Sequence, residues 1–180
     1  MFRISKDSPV HYLTSATHNR LAVFQTAQMK ELVCKALDEA RTSAKLLIFA
    51  YVIMPDHLHM LIGSDKRPSD VLRYVNGITG HRIIEFLKNS GYESSLQKLS
   101  HATGLRKHKY SLWNHHPNLK LITTENGLLE KANYIHQNPV RGGLVKNPED
   151  YRWSSIRCWA RKPLEDEPLW VDIDQIQWHK

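Results

Sequence analysis

The chain has 180 residues, 41% of them hydrophobic, which suffices for one domain with its own core and leaves too little for a second of full size. Its 25 Lys and Arg exceed its 18 Asp and Glu by seven, a formal net charge of +7 that suits an anionic polymer or surface as partner. Cys34 and Cys158 lie in no CxxC pattern, which speaks against a disulfide framework or zinc knuckle, and with neither a signal-peptide stretch nor a run of membrane-span length the expected location is the cytoplasm.

"HYLTSAT", His11 to Thr17, is rich in strand formers and reads as a first strand. From Ala27 to Ala44 the residues Met29, Leu32, Val33, Ala36, Leu37 and Ala40 recur at helical spacing, so an amphipathic helix follows. "KLLIFAYVIM", Lys45 to Met54, is short, apolar and rich in β-branched and aromatic residues, as a central strand is. Pro55 breaks it, and "MPD" acts as a tight connection to an antiparallel return strand, "HLHMLIG", from His57 to Gly63.

A second long helix begins after Pro68, with Leu72, Val75, Thr79, Ile83 and Phe86 on its apolar line and Arg73, Arg82 and Lys88 off it. Gly91 to Lys109 has no clear period and reads as a basic connection. "NLKLITT", Asn118 to Thr124, alternates like a fourth strand. The order β-α-β-β-α-β predicts an α+β fold of the ferredoxin-like kind, an antiparallel sheet with two helices on one face and the other face free for a site. A third helix, roughly Glu125 to Gln137, is expected to stop at "NPVRGGLV", and the tryptophan-rich tail after Tyr151 to wrap the domain.

Residues two apart on a strand share a face, so His57 and His59 project together, away from Leu58, Met60 and Ile62. Two adjacent imidazoles suit a divalent metal; they equally suit a hydrogen-bonded pair on a solvated sheet face. The run continues Met60-Leu61-Ile62 instead of through the acid and further histidine of HxHxDH hydrolases, so any remaining ligand must come from elsewhere. On the third helix Tyr134 lies off the apolar line of Leu128, Ala132 and Ile135, and Asn138 is one helical turn beyond it. Alone, these two would read as a packed tyrosine and a capping asparagine.

Taken together, "MPDHLHMLI", "NYIHQNPVRGGLV" and "YRWSSIR" resemble the HUH single-tyrosine transposases, in particular the REP-associated tyrosine transposases, over about His11 to Ala160. The resemblance implies a catalytic domain over 1–160 with residues 161–180 as a tail packed on it. It implies that His57, His59 and Asn138 hold a divalent metal, Mg or Mn, and that Tyr134 is the nucleophile, cutting single-stranded DNA near hairpins through a 5′-phosphotyrosine. A phosphotyrosine keeps the bond energy, so reversal by another 3′-hydroxyl joins strands. Arg141 and Lys146, with Arg106, Lys107 and Lys109, are expected to follow phosphates, and Trp113 to stack on an unpaired base. "LWNHHPNLK" departs from the tryptophan-glutamine pair usual in that family before the fourth strand, and His115 or His116 could compete as a ligand. A monomer is favoured over a dimer that exchanges the tyrosine helix, because the long tail can cover that surface. The competing readings are a hairpin-DNA binding regulatory protein without cleavage and an unrelated metal-dependent hydrolase.

Overall fold

A computed structural model of the chain describes residues 1–100, 109–114 and 117–178. Its strands are β1 (Val10–Ala16), β2 (Leu47–Ile53), β3 (His57–Gly63) and β4 (Asn118–Ile122). Its helices are α1 (Ala27–Ala44), α2 (Pro68–Asn89), α3 (Glu93–Lys98), α4 (Glu125–Arg141) and α5 (Ile156–Trp159). The strands form one sheet in the order β2-β3-β1-β4, every pair antiparallel, which is the ferredoxin-like arrangement. Among the described residues no helix is long and apolar enough to cross a membrane.

Local sequence explains the long helices. Thr26 caps α1 by accepting from the Met29 N–H, and Lys45, left-handed at φ 53°, closes it. Pro68 sits at the start of α2, where its missing N–H costs nothing. The buried line of α2 runs Val71, Val75, Thr79, Ile83, Leu87; Leu72 and Phe86, placed on the apolar line from sequence, flank it and are only partly buried. Together α1 and α2 bury one sheet face, with Leu13, Leu58, Met60 and Ile62 pointing into them.

The opposite face, expected to be free, is largely covered. Leu128, Ala132 and Ile135 of α4 pack against Val10, Tyr12, Val52 and Leu61. Strand β2 is apolar on both sides and cannot leave one in water; fully burying Leu128 and Ile135 contributes roughly 1.5–3 kcal/mol each to docking the helix. The end of this face near His57 stays open. Two further boundaries differ from expectation. The stretch after Gly91 contains the short helix α3, and α4 runs on through Pro139 to Arg141. Pro139 falls in the last turn, and the chain leaves the helix only at Gly142 and Gly143, the latter at φ 68°.

The tail caps the exposed edge of β2. The Ile53 N–H donates to the Trp153 carbonyl, the Ser155 N–H to the Tyr51 carbonyl, and the Asp172 N–H to the Ile48 carbonyl; the Trp159 indole N–H donates to the Phe49 carbonyl. Such pairing removes an open edge that would otherwise recruit a foreign strand. One buried ion pair holds the tail's turn: Arg157 contacts both Glu167 oxygens, at 3.2 and 2.7 Å, and donates to the carbonyls of Tyr151 and Arg152. The Glu167 side chain is 0% exposed. Arg157→Leu is therefore expected to lower stability by about 3–5 kcal/mol, because it strands a buried carboxylate. Urea unfolding followed by circular dichroism measures it, and a change below about 1 kcal/mol would show that the clasp matters little.

Candidate active site

The sheet register gathers the site. His57 and His59 of β3 lie opposite Ala16 and Thr14 of β1, and Thr14 in turn lies opposite Asn118 of β4. Both imidazoles face α4, as the two-residue period predicts, and their ring centres are 5.0 Å apart. Tyr134 comes down from α4 with its ring centre 5.7 Å from that of His59 and 6.5 Å from that of Tyr12. Tyr12, Thr14, Arg20, His57, His59, Asn118, Lys120, Lys131, Tyr134 and Asn138 line an open cleft of about 460 Å³.

Each histidine is oriented through Nδ1. His57 Nδ1 is 2.6 Å from Asp56 Oδ1, and His59 Nδ1 is 2.7 Å from Thr14 Oγ1 and 3.2 Å from the Tyr12 hydroxyl. With Nδ1 engaged, each ring keeps Nε2 for the cleft. Asp56 is itself gripped by Arg20 at 3.2 Å. Arg20 and its neighbour Asn19 are both left-handed, at φ 56° and 51°, a backbone cost of about 1–2 kcal/mol per non-glycine residue. Burial alone would raise the Asp56 carboxyl, but the His57 hydrogen bond and then Arg20 outweigh it and hold the group below the usual carboxylate range. For His59, burial first and then the electrostatic influence of His57 and Arg20 pull the imidazole down to about 3, so it is neutral at physiological pH. Neutral imidazole is the form a metal accepts.

Asn138 is positioned by its own helix. Its Nδ2 donates to the Tyr134 carbonyl at 2.8 Å, which commits the amide nitrogen and leaves Oδ1 for the cleft. Two imidazoles and one amide thus line the same cleft, a donor set that fits a divalent ion with open positions for substrate oxygens. Among the described residues no group of three or more His, Cys, Asp and Glu side chains is placed to hold a metal, so Asn138 is the third donor the cleft offers. Tyr134, 37% exposed, has its ring covered by the Arg141 guanidinium at 4.8 Å.

The remaining candidates separate. Lys146 is exposed just past the end of α4, outside the cleft lining. Lys109 lies beside Tyr110 along α2, also away from the cleft. Arg106, Lys107, His115 and His116 fall outside the described residues. Trp113 does not stack on solvent-side ligands as expected. It is 6% exposed, packs on Phe24 at 5.5 Å, and donates its indole N–H to Thr79 Oγ1 and the Asn76 carbonyl. An indole with its one donor satisfied in the core is a packing residue. Conversely, Tyr12, Thr14, Arg20, Lys120 and Lys131 line the cleft, and Asp56 supports it through His57, none of them given a site role by a sequence motif.

Two Nδ1-anchored histidines on a sheet face thus stand opposite a helix-borne tyrosine and asparagine. Residues 7–115 match the family described as "Transposase IS200 like", and the chain belongs to that family. The matched segment contains His57 and His59 and ends before Tyr134 and Asn138. Among solved structures, a REP-associated tyrosine transposase bound to a REP hairpin superposes with a TM-score of 0.62 at 16% identity, over 94% of this chain and 89% of that one. A transposase candidate from Deinococcus radiodurans R1 gives 0.51 at 18% identity, over 72% of this chain and 90% of that one. No curated protein matches the chain in sequence.

Proposed function

We propose that the protein nicks single-stranded DNA beside a hairpin and rejoins strands, in the manner of a REP-associated tyrosine transposase, with Tyr134 as nucleophile. The observation that carries this reading is the placement of Tyr134 against His59 in the cleft that also receives His57 and Asn138. The Tyr134 oxygen attacks phosphorus, the phenolic proton passes to water, and the bond from phosphorus to the 3′ oxygen breaks as that oxygen takes a proton from water. A 5′-phosphotyrosine and a free 3′-hydroxyl result. Attack by another 3′-hydroxyl reverses the step and releases Tyr134, so no external energy source is needed. When bound by His57, His59 and Asn138, Mg or Mn supplies Lewis-acid polarisation of the scissile phosphate.

The other side chains hold the strand. Arg20, Lys120 and Lys131 ring the cleft with positive charge, and Arg141 holds the Tyr134 ring from outside. Lys146 continues that basic margin beyond α4. Because α4 packs on the sheet of its own chain, the arrangement supports a site built from a single copy and a monomer as the working unit. A hairpin partner is supported by the hairpin-bound relative of similar fold. An open cleft fed by unpaired strand favours a flexible single strand over a stiff duplex. The test is cleavage of a hairpin-bearing single strand against the fully paired duplex of the same sequence, side by side. Cleavage of the first alone is expected, and equal cleavage of both would refute the substrate assignment. In binding titrations across salt concentration, Arg141→Ala is expected to weaken affinity for the hairpin strand, with a slope shallower by about 0.7–0.9, one phosphate contact. A hairpin-binding regulator would bind and cut neither.

A further inference from the structure

Lys109, expected to follow DNA, sits away from the cleft, and its surroundings show a second basic aromatic surface. The outward stripe of α2, opposite its buried line, carries the exposed Arg73, Gly77, His81, Glu85 and Lys88, with Ile84 half-buried at its margin. Across from its C-terminal end, Lys88 Nζ lies 5.4 Å and Lys109 Nζ 5.3 Å from the ring centre of Tyr110. Two hollows of about 480 and 530 Å³ adjoin here, and Lys88, Lys109 and Tyr110 line both. The first also takes in Asn76, Gly77 and His81. Gly77 has no packing reason to be glycine: a Cβ there would meet nothing within 4 Å, yet glycine in a helix interior costs about 0.5–1 kcal/mol against alanine. Its absence of side chain leaves the helix surface open to close approach from solvent.

This surface and the cleft share no lining residue, and a short stretch of chain joins them. Residues 110–114 run from Tyr110 through Trp113, bridged to Thr17, to Asn114, whose N–H donates to the Ala16 carbonyl. Ala16 is the register partner of His57. Four residues span at most about 14 Å, so the two surfaces are within a few nucleotides of each other.

We infer that the α2 groove, with Tyr110 between Lys88 and Lys109, binds the unpaired arm of the same DNA strand that the cleft cuts. Lysines paired with an aromatic ring suit alternate phosphates and a base face, which is single-strand recognition without a sequence code. The inference rests on the proposed activity for the identity of the strand, but its test is separable. Hairpins with no arm and with an arm of about ten nucleotides, within the range such grooves occupy, are titrated against wild type and the Lys88→Gln/Lys109→Gln variant. Both lysines are exposed, so the variant folds as wild type does. The arm is expected to tighten wild-type binding more than tenfold, and the variant to lose about tenfold of that gain while the cleft keeps its share, with a salt slope shallower by about 1.4. Its affinity for the arm-less hairpin and its rate of adduct formation at saturating DNA should stay as in wild type. An iododeoxyuridine placed along the arm should photo-crosslink to Tyr110. Unchanged affinity of the variant for the armed hairpin, or an equal loss with the arm-less one, would overturn the groove. Arm binding that needs these lysines, in a wild type that forms no adduct, would uphold the groove and overturn the cleavage reading.

Discussion

Tyr134→Phe is expected to abolish cleavage and the covalent DNA adduct while leaving affinity for a hairpin substrate within about twofold of wild type. The substitution removes one oxygen from a ring that stays held by Arg141 on one side and faces His59 and Tyr12 on the other. Nothing in the packing changes, so binding and fold are preserved. Without the nucleophile the loss should be on the order of 10⁴–10⁶ in rate, the size seen when an enzyme loses its attacking group. Single-turnover assays on a labelled oligonucleotide, with binding measured in parallel by anisotropy, separate the two effects. A Phe variant that nicks at the wild-type rate would transfer the role of nucleophile to another group.

His57→Ala and His59→Ala form the second large expectation: each should eliminate divalent-metal-dependent cleavage, and excess EDTA should reproduce the loss in wild type. The cleft offers three donors, and a site with three ligands from protein cannot spare one. The two variants should differ in stability. His59 is 6% exposed and tied to Thr14 and Tyr12, so its removal also leaves a void under α4, whereas His57 sits nearer the rim. Asp56→Asn should give a milder version, about 10–100-fold weaker metal dependence, since it only loosens the partner of His57. Metal titrations of cleavage rate distinguish these cases. Full activity of wild type in EDTA would remove the metal from the account.

Much of the fold is legible because local signals agree with the packing. Helix α1 and strand β3 have the bounds that apolar spacing and the Pro55 break predict, and the face carrying His57 and His59 follows from the strand period alone. Misreadings arise where a local rule yields to tertiary context. Pro139 usually ends a helix, yet in α4 the loss of its one N–H is offset by packing, since Pro139 is itself buried and Leu128, Ala132 and Ile135 hold the helix on the sheet. Leu72 and Phe86 lie within one position of the buried line of α2, so periodicity could not choose between them and Val71 or Leu87. Trp113 carries no periodic context that would betray its burial against Phe24.

The site divides in the same way. Asp56 stands directly before His57, and Lys131 is three residues from Tyr134 on one helix, so both were within reach of sequence spacing. Thr14, Tyr12 and Lys120 were not. They reach the cleft only through the pairing of β1 with β3 and β4, a contact across more than forty residues that no local pattern reports. Arg20 depends on a left-handed pair of residues that its sequence does not require.

The most direct measurement is mass spectrometry of the protein after incubation with a hairpin-bearing single strand and Mg or Mn, followed by proteolysis and mapping of the modified peptide. The account predicts a DNA-linked phosphate on Tyr134, absent in EDTA and absent in the Phe variant. Strand cleavage with no covalent adduct, or an adduct on any other residue, would contradict it.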